Sequence, residues 1–205
     1  MNSLLKWSIE NSDAGRRPDE EAPSVRGLDP QALAALMGGP TDADLMKEAI
    51  AVIRNPEATL DNKIIAFDNF EQLVENIDNA NNLEPLGLWT PLIDQLNSVE
   101  ADMRRMASWC LGTAVQNNVK AQERMLAMGA YPRLTTLALE DKDTASRRKA
   151  VYALSSGVRN YQPGLDEVVK LLPHEITGSD KLNADDMDAI DSIMEKLRKR
   201  SGVPS

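Results

Sequence analysis

His174 is the only histidine and Cys110 the only cysteine of the 205-residue chain, which bounds the chemistry it can do. An imidazole–thiolate metal site needs several converging ligands, and a cysteine nucleophile needs a base beside it, so neither has enough parts. Cys110 sits in the middle of an apolar helical stretch and reads as core filler. A single cysteine also excludes a disulfide framework and points to a reducing compartment. His174 follows Pro173 and reads as a loop residue. The acidic pairs Glu20-Glu21 and Asp185-Asp186 fall in polar segments where charge is solvated, and Gly38-Gly39 reads as a helix stop, since no strand precedes it to make a phosphate loop. The expectation is a chain that is not an enzyme, with no catalytic residue, cofactor or metal.

Charge and hydropathy narrow the partners. A net charge of −9 and a pI near 4.7 speak against nucleic acid, whose phosphates would repel the chain. The dense basic run, Lys196-Leu197-Arg198-Lys199-Arg200, complements the carboxyl end of a last helix. No apolar run approaches the roughly 18 residues of a membrane span, and the N-terminus lacks a secretory signal's apolar core. A cytoplasmic, membrane-free monomer is the expectation.

The elements that organise these residues repeat. Arg104 to Asn117 (RRMASWCLGTAVQN) recurs 43 positions later as Arg147 to Asn160 (RRKAVYALSSGVRN), with identity at both arginines, Ala107/Ala150, Leu111/Leu154, Val115/Val158 and Asn117/Asn160. A diverged copy lies 41 positions upstream, matching Val74-Glu75-Asn76 to Val115-Gln116-Asn117 and Phe70 to Leu111. Each copy continues through a glycine, Gly87 or Gly129, into an apolar segment, so the glycine turns the corner between helices. Helical units of this length stack into an armadillo-type solenoid, because each buries its apolar stripe only against its neighbours. The fold class is therefore all-α, a short armadillo solenoid with helical caps.

Residues 1–29 form a flexible N-terminal tail in this reading, with an apolar motif at 4–9, because Asn11 to Asp29 carries almost no large apolar side chains. Residues 30–60 supply capping helices, one ended by Gly38-Gly39-Pro40 and one opened by Thr41-Asp42 with Leu45, Ala49, Val52 and Ile53 inward. Repeats occupy 61–172, starting with a long helix from about Asp61 to Asn79; a linker and a C-terminal amphipathic helix through Met187, Ile190, Ile193, Met194 and Leu197 fill 173–205.

Several specific strings then become readable in order: Leu4-Leu5-Lys6-Trp7-Ser8-Ile9, Ala66-Phe67-Asp68-Asn69-Phe70-Glu71, Glu75-Asn76-Ile77-Asp78-Asn79-Ala80-Asn81-Asn82 and Gly112-Thr113-Ala114-Val115-Gln116-Asn117-Asn118. Together they resemble the armadillo-type nucleotide exchange factors of heat shock protein 70, the fungal Fes family and its animal relatives. The resemblance spans Met1 to Pro163. Longer relatives continue into further armadillo repeats, where this chain has about two and a half.

That resemblance implies a cytosolic co-chaperone that grips the nucleotide-binding domain of heat shock protein 70 and speeds ADP release, with a link to translation through chaperones acting on nascent chains. The contact would fall on the concave ends of the long helices. Ala80, a small side chain between two asparagines, and Arg159, a charge the core cannot use, lead the candidates; Glu75, Asn79, Gln116, Asn117 and Asn160 surround them. Asn117 and Asn160 also read as residues that cap or brace helix ends. The tail residues Leu4, Leu5, Trp7 and Ile9 would either fold back as a helix or imitate a client in the chaperone's substrate-binding domain and aid its release. The alternative is a generic armadillo adaptor, with Asn117 and Asn160 clamping an extended peptide.

Overall fold

The computed structural model describes residues 38–178, 181–200 and 202, and divides into two compact units, Met1–Thr41 and Asp42–Ser205. Of the first unit, residues 38–41 are described: a turn in which Gly38 and Gly39 take φ of 88° and 78° ahead of Pro40, backbone that glycine adopts without a Cβ penalty. The expected tail, its motif at Leu4–Ile9 and the short helix before Gly38 lie outside the described residues.

Every regular element among the described residues of the second unit is a helix. Helices α1 (Asp42–Arg54) and α2 (Leu60–Val74) form an opening pair. A three-helix unit follows: α3 (Ile77–Asn82), α4 (Trp89–Asp94, continued by a 3-10 turn, Gln95–Asn97) and α5 (Ala101–Val115). Its repeat is α6 (Val119–Ala127), α7 (Ala130–Glu140) and α8 (Thr144–Val158), and α9 (Gln162–Leu171), α10 (His174–Thr177) and α11 (Met187–Arg200) end the chain. His174 thus opens a one-turn helix; Pro173, lacking an N–H, starts a helix where the sequence reading placed only a loop.

Polar side chains fix where these helices begin. Thr59 caps α2, Asn76 α3, Asn118 α6 and Asp143 α8, each accepting from a backbone N–H of the first turn, and Asp186 accepts from the Ala189 N–H at the start of α11. Gly87 and Gly129 take φ of 68° and 69° at the corners expected of them. Asn117 and Asn160 take φ of 52° and 55° just past α5 and α8, a left-handed conformation that asparagine tolerates better than most residues. The expected long helix to Asn79 is a correction: the chain breaks after Val74, because the Asn76 side chain accepts the Asp78 N–H and starts α3 afresh.

One apolar core runs through the unit. The α1 face that enters it is Met46, Ala49, Ile50 and Ile53, an i, i+3, i+4, i+7 stripe; of the four expected residues Ala49 and Ile53 are in it, while Val52 packs against it half-buried and Leu45 is exposed. Those two flank an open apolar concavity of about 630 Å³ between α1 and α2, across from Ile65, which is 59% exposed. Phe67, Phe70 and Val74 of α2, Leu111 and Val115 of α5, and Leu154 and Val158 of α8 fill equivalent core layers. In α11 the same role falls to Ile190, Ile193, Met194 and Leu197.

Helices α2, α5 and α8 stand side by side and parallel. Cys110 lies against the Phe67 carbonyl and Thr113 against Glu71, so α2 and α5 advance together; Ser146 reaches the Ala101 carbonyl at one end of the next pair and Tyr152 meets Gln116 near the other. Gly112 permits the approach of α5 and α8, since a Cβ there would lie 2.6 Å from the Tyr152 ring. Arg104 braces the turn before α8 by donating from Nε and Nη2 to both Asp141 oxygens, at 2.6 and 2.8 Å.

Candidate binding face

The parallel helices α2, α5 and α8 expose one side each, and these sides line a concavity of about 460 Å³ among Glu71, Glu75, Trp109, Thr113, Gln116 and Tyr152. Its floor is a hydrogen-bonded relay. Thr113 Oγ1 donates to Glu71 Oε1 at 2.6 Å and lies 3.4 Å from the Tyr152 hydroxyl, which in turn donates to Gln116 Oε1 at 3.2 Å. Glu71 is 5% exposed, and burial makes such a fixed acceptor a strong local determinant of charge.

At the Trp109 side of this concavity Lys149 of α8 extends its ammonium to 3.4 Å from the centroid of the Trp109 ring on α5. Burial lowers the Lys149 pKa below the usual lysine value, while the Glu71 carboxylate pulls it back up. Cys110, next to Trp109 in sequence and buried in the core, has its thiol pushed well up by burial first and by Glu71 second, which suits an inert core residue and not a nucleophile. Among the described residues no group of three or more His, Cys, Asp or Glu side chains is placed to hold a metal ion. The arrangement offers hydrogen bonds, a ring face and charge to a partner. It assembles no nucleophile with its base.

Of the residues expected at a contact, Glu75, Gln116, Asn117 and Asn160 are exposed at the carboxyl ends of α2, α5 and α8. Asn79 and Ala80 are not on the surface. Ala80 is 2% exposed, and the Asn79 amide donates to Asp42 at 2.7 Å and to the Leu73 carbonyl at 3.0 Å, so both shape the face from beneath. Arg159 has a use the sequence did not suggest: its guanidinium pairs with Asp191 of α11, touches Met187 Sδ at 3.4 Å and donates to Ser155 Oγ at 3.2 Å. Gln122 binds the Ser156 and Arg159 carbonyls at 2.9 and 3.0 Å, closing the end of α8 from below.

Sequence reasoning missed Glu71, Trp109, Thr113, Lys149 and Tyr152 as a cluster. The signal was one helical turn away: Glu71 precedes Glu75 by four residues, so it lies on the same helical stripe, at its sheltered end.

Comparison with known proteins places the chain. The family model for the nucleotide exchange factor Fes1 matches residues 1–83, and that for the SIL1/FES1/HPBP1 C-terminal domain matches residues 79–171. A protein from Coccidioides immitis (strain RS), named Hsp70 nucleotide exchange factor FES1, is 57% identical over 205 residues, covering 97% of each chain. A protein of the same name from Gibberella zeae is 53% identical, covering 98% of this chain and 97% of its own. Among solved structures, a designed armadillo repeat protein in complex with a (KR)4 peptide superposes with a TM-score of 0.53 at 12% identity, over 98% of this chain and 88% of its own, a likeness of fold alone.

Proposed function

The chain belongs to the Fes1 family of Hsp70 nucleotide exchange factors, and from that premise we propose that it acts by holding the nucleotide-binding domain of a cytosolic Hsp70 against its concave face and hastening ADP release. The observation that carries the reading is family identity along the whole chain: relatives 57% and 53% identical over almost all of both lengths are themselves named for Hsp70 nucleotide exchange. The same membership speaks against a generic peptide adaptor.

The physical logic needs no catalytic group. A face that binds the chaperone more tightly when its nucleotide cleft is loosened must lower nucleotide affinity by the same factor, because the two binding equilibria share one cycle. Glu75, Gln116, Asn117 and Asn160 are the contact residues proposed on this face, with Arg159 at its C-terminal edge and with Asn79 and Ala80 setting its shape. Residues 30–60 would cap the stack, 61–172 would carry the contact and 173–205 would close the far end. Residues 1–29 would be a tether that brings Leu4, Leu5, Trp7 and Ile9 to the chaperone's substrate-binding domain at raised effective concentration. The site of action is the cytoplasm and the working form a monomer.

The test is stopped-flow release of a fluorescent ADP analogue from purified cytosolic Hsp70. Saturating protein is expected to raise the release rate at least about tenfold, equivalent to lowering the release barrier by about 1.4 kcal/mol. A Glu75→Lys, Gln116→Arg variant, changed at exposed positions, should keep its helical circular-dichroism spectrum and lose most of that acceleration. An unchanged rate with the parent chain defeats the exchange reading; full acceleration by the variant moves the contact to another face.

A further inference from the structure

The aromatic rings that line the concavity already carry a cation, and it is the chain's own. Lys149 places its ammonium 3.4 Å from the Trp109 ring centroid and 5.5 Å from that of Tyr152. Three effects hold it there. The π faces of indole and phenol attract a positive charge, the lysine stem covers apolar ring surface, and the Glu71 carboxylate favours the protonated form against the burial that disfavours it.

We propose that Lys149 is an internal ligand that fills the aromatic cation slot of the concave groove and so shuts lysine- and arginine-rich segments out of it. The groove otherwise has the chemistry to take such a segment: a tryptophan face, a tyrosine face, the carboxylates Glu71 and Glu75, and the amides of Gln116 and Asn117, all lining one concavity. A basic peptide that used the Trp109 ring would have to set an ammonium or guanidinium against Lys149, and two like charges within a few ångströms repel strongly in so sheltered a place. Arg105 and Arg148 extend the positive field around Lys149, adding to the repulsion. Lys149 also competes as a tethered ligand, whose effective concentration is on the order of millimolar or above, so a free peptide starts at a disadvantage. The inference goes beyond exchange activity, and does not depend on it, because it concerns what the groove refuses.

The experiment is fluorescence anisotropy of a dye-labelled octapeptide of alternating lysine and arginine with the full chain, at about 150 mM salt to suppress nonspecific attraction to an acidic protein. The parent chain and Lys149→Arg, which keeps a cation in the slot, are expected to show no saturable binding at micromolar concentrations. Lys149→Ala should bind at least about tenfold more tightly, and adding Trp109→Ala should abolish the gain. Circular dichroism and melting confirm the fold of each variant, and Lys149→Gln gives a second uncharged variant if Lys149→Ala melts early. The proposal is overturned by a parent chain that binds as tightly as Lys149→Ala, by folded uncharged variants that do not bind, or by a gain that survives the loss of Trp109, which would make it a matter of net charge alone.

Discussion

On one flank α8 lies parallel to α5, its own sequence twin, 43 residues earlier; on the other, α11 also begins 43 residues on but runs the opposite way. The direction is plain from the ends: Arg159, past the carboxyl end of α8, pairs with Asp191 near the start of α11, while Gly202, beyond the end of α11, lies beside the Arg147 guanidinium near the start of α8. On the parallel flank helix follows helix in register, and the exposed stripes add into one concave face. On the antiparallel flank the core is sealed equally well by Ile190, Ile193, Met194 and Leu197, but the ridge ends. An apolar stripe is indifferent to the direction of the helix that covers it, because burial has no orientation. A polar ridge is not, since its side chains must meet at fixed ends.

The most damaging way to probe this contrast is to remove apolar volume on each flank. Leu111→Ala in α5 and Leu197→Ala in α11 both empty fully buried sites and should each lower stability by about 2–5 kcal/mol in urea unfolding. A loss below about 1 kcal/mol for Leu197→Ala would show that α11 does not share the cooperative core.

A smaller effect separates the two paired arginines. Arg104 binds both oxygens of Asp141, whose side chain is 3% exposed, whereas its twin Arg147 donates to the Asp141 and Lys142 carbonyls and to Thr144 near the surface. Arg104→Met should lower stability by about 3 kcal/mol by leaving a sheltered carboxylate unpaired, and Arg147→Met by about 1 kcal/mol. The pH dependence gives the sign. The Arg104 bond holds the Asp141 carboxyl below its ordinary value, against the opposing effect of burial. With the folded pKa depressed, the stabilisation is complete above the unfolded value of about 3.9 and fades as pH falls through the folded one. Arg104→Met should therefore flatten the acid limb of the stability curve below about pH 4, and Arg147→Met should leave it steep; equal acid limbs would reject the assignment.

The mildest comparison concerns the two left-handed asparagines. Asn117→Ala and Asn160→Ala should each lower stability by about 1 kcal/mol, while the glycine variants should stay within about 0.5 kcal/mol of the parent, because glycine adopts this φ freely. ADP-release assays on the glycine variants then sharpen the roles: exchange retained by Asn117→Gly makes that residue a helix terminator, and exchange lost with stability intact makes its amide a contact.

Much of the fold was legible in the sequence. Ala107/Ala150, Leu111/Leu154 and Val115/Val158 are all buried as the internal repeat implied, since identical spacing on a helix puts identical residues on one face. The family was legible too, carried by polar strings such as Glu75–Asn82, whose exposed members Glu75 and Asp78 no requirement of packing explains. What the strings did not show was depth. Ala80 and Asn79 lie beneath the surface because Asn76 restarts the helix and rolls them inward, a consequence of one side-chain hydrogen bond that periodicity does not register.

By itself the sequence determined the helical class, the repeat, most of the apolar faces and the Fes1 ancestry, because all of these follow from local propensity and spacing along one chain. Only the tertiary structure decided that Arg159 ties down α11, that α11 runs antiparallel to the ridge, and that Lys149 lies on Trp109. Those contacts join residues 32, 28 and 40 positions apart on different helices, and they are set by how the helices dock rather than by what any one of them contains.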